Sequence, residues 1–220
     1  MSNTRTRRKA LLRKKRRKRI IKKTCILGIA CLIIMLFIFT INNLAKQNVK
    51  VKEPPEFEVD LLTVNEYSRP GFAMNKINGI VIHYTANPGT TAKQNRDYFE
   101  GLKDSHQTKA SSHFVIGIEG EIIQCIPSRE ISYASNERNS DTLSIECCHP
   151  DETGKFTDKT YNSLVAMCAW LCGEFDIKID NIIRHYDVTG KNCPKYYVEN
   201  EREWEKFKQD VGNYIKNNGV

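Results

Sequence analysis

The sequence predicts an α/β fold: a single domain with a central mixed β-sheet flanked by helices, preceded by an N-terminal transmembrane helix. Three observations predict it. Short β-branched runs at Gly79 to His83, Leu143 to Cys147 and Asn181 to Arg184 are too brief for helices and suit a pleated surface. Between them lie stretches of helical period, Thr91 to Leu102 and Thr160 to Phe175. His113 to Gly117 and Glu121 to Ile126 read as a hairpin about Glu119-Gly120, which adds an antiparallel pair to the interleaved pattern.

From the N-terminus, residues 1–23 are a basic cytoplasmic tail. This tail holds 13 of the 34 Lys and Arg and no acid, so the rest of the chain carries 21 basic against 26 acidic side chains. The net charge of +8 therefore belongs to the tail, and the folded part gives no reason to expect nucleic-acid binding. Residues 24–41 are an uncharged run of 18, about 27 Å as a helix, which suits a bilayer. It reads as an uncleaved signal anchor with the basic side kept in the cytoplasm and everything after Asn42 outside. The expected location is the plasma membrane, single-pass, with the domain facing outward. Residues 42–60, polar and carrying Pro54-Pro55, read as a spacer, and 61–218 as the domain.

Within the domain, Thr90 or Thr91 caps the first helix, whose apolar side is Ala92, Tyr98, Phe99 and Leu102. Tyr161, Leu164, Val165, Cys168, Leu171, Cys172 and Phe175 form the stripe of the second helix. Trp204, Phe207, Val211, Tyr214 and Ile215 mark a closing amphipathic helix. Six cysteines follow the span, and none reads as part of a disulfide framework; Cys168 and Cys172, one turn apart, read as core thiols.

The chemistry centres on Arg184 to Tyr197, RHYDVTGKNCPKYY, where His185 and Cys193 stand across a loop containing Gly190, Lys191 and Pro194. Imidazole and thiolate both suit zinc, and a polar loop of this length can aim them at one ion. His83, ending its own apolar run, is the candidate third ligand. Three ligands leave the fourth position to water, which is the catalytic arrangement. A histidine at a strand end is ordinarily a satisfied polar residue. Here both histidines follow apolar runs in the same way, and Lys191 stands two residues before the cysteine.

GIVIHYTANPG around His83, SSHFVIG around His113, LSIEC around Glu146 and RHYDVTGKNCP around His185 together resemble the zinc-dependent N-acetylmuramoyl-L-alanine amidases, a family that includes phage lysozyme-type amidases and the peptidoglycan recognition proteins. The resemblance covers Leu61 to the C-terminus. It implies a zinc cofactor held by His83, His185 and Cys193, with Glu146 as general base and acid and Lys191 beside the oxyanion. It implies peptidoglycan as substrate, cut between N-acetylmuramic acid and L-alanine, and a monomer is expected. A family tyrosine near the metal falls on Ser112 here, which makes Glu146 more necessary. His113 is read as structural. The alternatives are a membrane-anchored peptidoglycan-binding module without catalysis and a zinc peptidase acting on stem peptides.

Overall fold

The computed structural model describes residues 28–29, 31–37 and 49–220. The chain divides into two compact units, Met1–Asn48 and Val49–Val220. In the first, residues 28–29 and 31–37 are helical, and we label 31–37 α1. Half of the expected span at 24–41 lies outside the described residues. Among the described residues no helix is long and apolar enough to cross a membrane, so the anchor finds no support there.

The second unit has the expected mixed sheet. It contains β1 (Glu58–Val59), β2 (Gly79–Tyr84), β3 (Phe114–Ile116), β4 (Ile122–Gln124), β5 (Thr142–Cys147) and β6 (Ile182–Arg184). The six strands lie in the order β1-β4-β3-β5-β2-β6, and only β3 and β4 run antiparallel. That pair is the hairpin read from Glu119-Gly120, where Gly120 takes φ +86°. The helices are α2 (Ala92–Ser105), α3 (Asp158–Phe175), α4 (His185–Thr189), α5 (Lys195–Glu199) and α6 (Glu201–Asn218).

Alternation along the strands divides the core in two. Ile80, Ile82, Phe114, Ile116, Leu143, Ile145 and Cys147 face one way, against Leu164, Cys168 and Leu171 of α3 and Trp204, Phe207 and Val211 of α6. Val115, Ile123 and Cys148 face the other way, against Ala92, Phe99 and Leu102 of α2. The even-numbered partners on β5, Ser144 and Glu146, share this second side, opposite Ile145 as the alternation predicts. All the cysteines among the described residues are free, and Cys168 and Cys172 are buried in the core.

Two expectations need correction. The spacer was expected to run to residue 60, but the compact unit begins at Val49. Val51 is buried, Phe57 packs on Phe114 and Trp170, and β1 pairs with β4. Apolar side chains scattered through a polar, proline-bearing stretch have no period to betray them, yet Val51 and Phe57 find a core surface. The connection from His185 to Cys193 was expected to be loop throughout; it opens with the short helix α4, the loop proper is confined to residues 190–194, and α5 follows. Asp187 sets α4 by accepting the Arg184 N–H at 2.8 Å, and Gly190, at φ +78°, ends it.

Candidate metal centre

The site lies at the carboxyl ends of three parallel strands. β2 delivers His83, β5 delivers Glu146, and β6 ends one residue before His185. His83 and Glu146 are paired in register across β2 and β5, which puts both on the α2 side of the sheet. Ile82 pairs with Arg184, so His83 on β2 and His185 at the start of α4 follow from neighbouring positions. Arg184 rivets this corner. It is buried, donates to Glu201 at 2.6 Å and to the Tyr197 carbonyl at 3.0 Å, and lies over the Trp204 ring at 5.4 Å. Cys193 returns on the turn after α4, its carbonyl accepting the Tyr186 N–H at 2.9 Å.

The donor atoms of His83, His185 and Cys193 all lie within 4.8 Å of one another, and all three residues are buried. Cys193 Sγ is 3.8 Å from His83 Nδ1, and the two rings stand 4.7 Å apart at 64°. Each histidine spends its Nε2 elsewhere: His83 on Ser135 Oγ at 3.1 Å, His185 on Asn136 Oδ1 at 2.9 Å. His185 Nδ1 is buried with no hydrogen-bond partner at all. A protein leaves a buried imidazole nitrogen orphaned only at a cost, which a metal ion at that nitrogen would remove. Two nitrogens and a sulfur suit zinc, so the residues present fit that ion.

The electrostatics keep both imidazoles in the neutral form that can ligate a metal. Burial holds His83 well below the usual imidazole range, and the charges of His185 and Lys191 push the same way. His185 is lowered by burial and by Lys191, against Glu137. The Cys193 thiol is pushed up to about 12 by burial and Glu146, against the Tyr84 backbone N–H and Lys191. Burial raises the Glu146 carboxyl to about 8, with Lys191 opposing, and its Oε2 is sealed without a partner.

A cleft of about 420 Å³ opens over the centre, with Glu146 and Lys191 in its wall beside the three donors and with Tyr84, Lys109 and Tyr133 further out. Every residue singled out for metal or catalysis from the sequence thus borders one cavity. Ser112 and His113 do not: both are buried behind it. Ser112 Oγ donates at 2.9 Å to either of two carbonyls, those of Phe114 and Ser144. Sequence reasoning missed Ser135 and Asn136; it took His149 as a polar-loop residue, and that residue does not line the cleft. The first two sit on a loop pinned by Asn139, whose Oδ1 accepts the Ala134 and Ser135 N–H groups at 3.0 and 2.6 Å. Nothing periodic marks that loop. His149 is buried against the Tyr84 ring at 5.1 Å, and no motif surrounds it.

Residues 73–196 match the N-acetylmuramoyl-L-alanine amidase family. Among curated relatives, the N-acetylmuramoyl-L-alanine amidase CwlL of Bacillus licheniformis is 31% identical over 73% of this chain and 48% of its own length. The amidase BlyA of Bacillus subtilis (strain 168) is 34% identical over 70% of this chain and 46% of its own. The chain thus spans about half the length of the curated relatives it matches. Of solved structures, the catalytic domain of XlyA superposes with a TM-score of 0.61 at 26% identity, covering 71% of this chain and 99% of that one. PlyL, at 24% identity and a TM-score of 0.62, shares the fold. With more than half of the chain matched and the motifs gathered at one cleft, the chain belongs to the N-acetylmuramoyl-L-alanine amidase family.

Proposed function

We propose that the chain hydrolyses the amide between the lactyl group of N-acetylmuramic acid and L-alanine in peptidoglycan, using zinc held by His83, His185 and Cys193. The single observation that carries this is the convergence of those three donors within 4.8 Å, with His185 Nδ1 left unpartnered. When bound, zinc supplies a Lewis acid and a water more acidic than bulk water. The protein does the rest. Asn136 Oδ1 accepts from His185 Nε2 and so leaves His185 Nδ1 unprotonated, while Ser135 Oγ orients the His83 ring through its Nε2. Glu146, raised to about 8, is near the ambient pH at which a carboxylate can take a proton from the attacking water and return it to the leaving alanine nitrogen. Lys191, at the cleft edge, offers positive charge where the carbonyl oxygen becomes negative. We further propose that residues 24–41 anchor the chain in the plasma membrane with the domain outside, facing the wall.

Purified full-length chain incubated with cell walls is expected to release new L-alanine amino groups, and chelation is expected to abolish the release. Mass spectrometry should find intact stem peptides beginning with L-alanine. Truncated peptides left on muramic acid would identify a stem-peptide peptidase, and binding without release would identify a peptidoglycan-binding module. Cys193→Ser is expected to lose the zinc that the wild-type chain retains through dialysis, as measured by elemental analysis.

A further inference from the structure

A second cavity, of about 620 Å³, opens at the end of the sheet opposite the catalytic cleft. Its wall includes Asn78 and Asn181, which immediately precede β2 and β6, together with the last turn of α3. β2 climbs four residues from Gly79 to His83, so about 13 Å of strand separates this wall from the nearest metal ligand. The strand starts are tied together here: Asn181 Nδ2 donates to the Asn78 carbonyl at 2.9 Å, and Asn78 Nδ2 to Asp141 at 3.0 Å. No residue assigned to metal or catalysis borders the cavity.

Three cations line it, Lys76, Arg129 and Lys178. Among the described residues none of them has a carboxylate within ion-pairing distance, and the two ammonium groups make no hydrogen bond either. Arg129 is held without being neutralised. Its guanidinium lies over the Phe175 ring at 5.5 Å, and its backbone carbonyl accepts the Met74 N–H at 2.8 Å. Two carboxylates share the wall, but Asp176 is engaged by Lys50 at 3.7 Å, which leaves Glu174 alone against three unpaired cations. Elsewhere on the domain the pattern is reversed: Lys93, Lys103, Lys109, Lys159 and Lys206 each hold a carboxylate.

We propose that this cavity binds a phosphate ester. Three cations around one anion suit the free oxygens of a phosphoryl group, and the planar guanidinium of Arg129 can meet two of those oxygens at once. The cavity is of small-molecule size and larger than an inorganic phosphate needs, so the organic part of the ester has room beside it. A nucleic acid fits less well, because residues 24–220 carry 21 basic against 26 acidic side chains and offer no extended basic track. A soluble phosphate ester and a phospholipid headgroup present the same group.

The test titrates sn-glycerol 3-phosphate into full-length chain in uncharged detergent micelles and follows backbone amide shifts by NMR, for wild type, Lys76→Gln, Arg129→Gln and Lys178→Gln. The wild-type chain should bind saturably, with shifts centred on residues 75–78 and 174–181, and glycerol should produce none. Each variant should weaken binding about threefold to tenfold, and added salt should weaken it in the wild type. Lys76→Gln and Lys178→Gln remove ammonium groups that the fold does not use, so weaker binding in them reports the site and not misfolding. Absence of saturable binding, or an affinity that all three variants leave unchanged, overturns the site. The same titration in phosphatidylglycerol nanodiscs names the source: binding lost there assigns the cavity to a lipid headgroup, and binding retained assigns it to a soluble ester.

Discussion

Two buried histidine clusters lie behind and above the same stretch of β5, and they treat their imidazoles differently. His113 is fully satisfied. Its Nδ1 accepts the Ser144 N–H at 3.0 Å, so its Nε2 carries the proton and donates to the Glu130 carbonyl at 2.9 Å. Ser112 and Ser132 complete the network around Ser144 Oγ at 3.3 and 2.9 Å. At the cleft, His83 and His185 bond outward through Nε2 and leave their Nδ1 atoms turned toward Cys193, with no proper hydrogen bond for His185 Nδ1 and only a long sulfur contact for His83. A closed network specifies a core, whereas an open one waits for a ligand. The contrast separates His113 from the cleft histidines without appeal to burial, which is alike.

The contrast can be broken first at Glu146. Glu146→Gln keeps the shape and removes the base, and should lower turnover by about 10²- to 10⁴-fold with zinc content unchanged. Loss of metal in that variant would make Glu146 a ligand instead. Next comes the closed cluster. Burial holds His113 at about 4, below its ordinary 6.5. The unfolded chain therefore binds this proton first as pH falls. The stability tied to a neutral His113 is complete above pH 6.5 and is lost between there and about pH 4, by about 3 kcal/mol. Urea unfolding at a series of pH values should show this loss, and His113→Gln should shrink the pH-dependent part. A slope as steep in the variant would shift the effect to other groups. The smallest effect concerns the open cluster: Asn136→Ala removes the acceptor that orients His185 and should weaken zinc affinity about tenfold to a hundredfold in a competition assay against a chelator, while leaving urea stability of the zinc-free chain nearly unchanged.

Much of this was legible beforehand, and the reasons are local. A period of two in Leu143 to Cys147 assigns Glu146 to the face opposite Ile145 wherever that strand lies. Thr91 and Gln94 write their capping box within four residues. The stripe on α3 faces a core in any arrangement, because burial of an apolar side is favourable whatever covers it. Less legible was Asn43 to Glu58, where Val51 and Phe57 dock although nothing in the spacing announces it.

The amino-acid order alone decided the type of the longer elements β2, β5, α2, α3 and α6, the hairpin, the face each of their residues takes and the kinds of donor available for a metal. Tertiary structure alone decided that β2 and β5 pair with His83 opposite Glu146, that Ser135 and Asn136 stand behind the two imidazoles, and that one nitrogen stays unpartnered. The first set depends on backbone period and side-chain chemistry, which act over a few residues. The second depends on parallel pairing between segments 60 and more residues apart, whose register is set by the packed core and by no local signal.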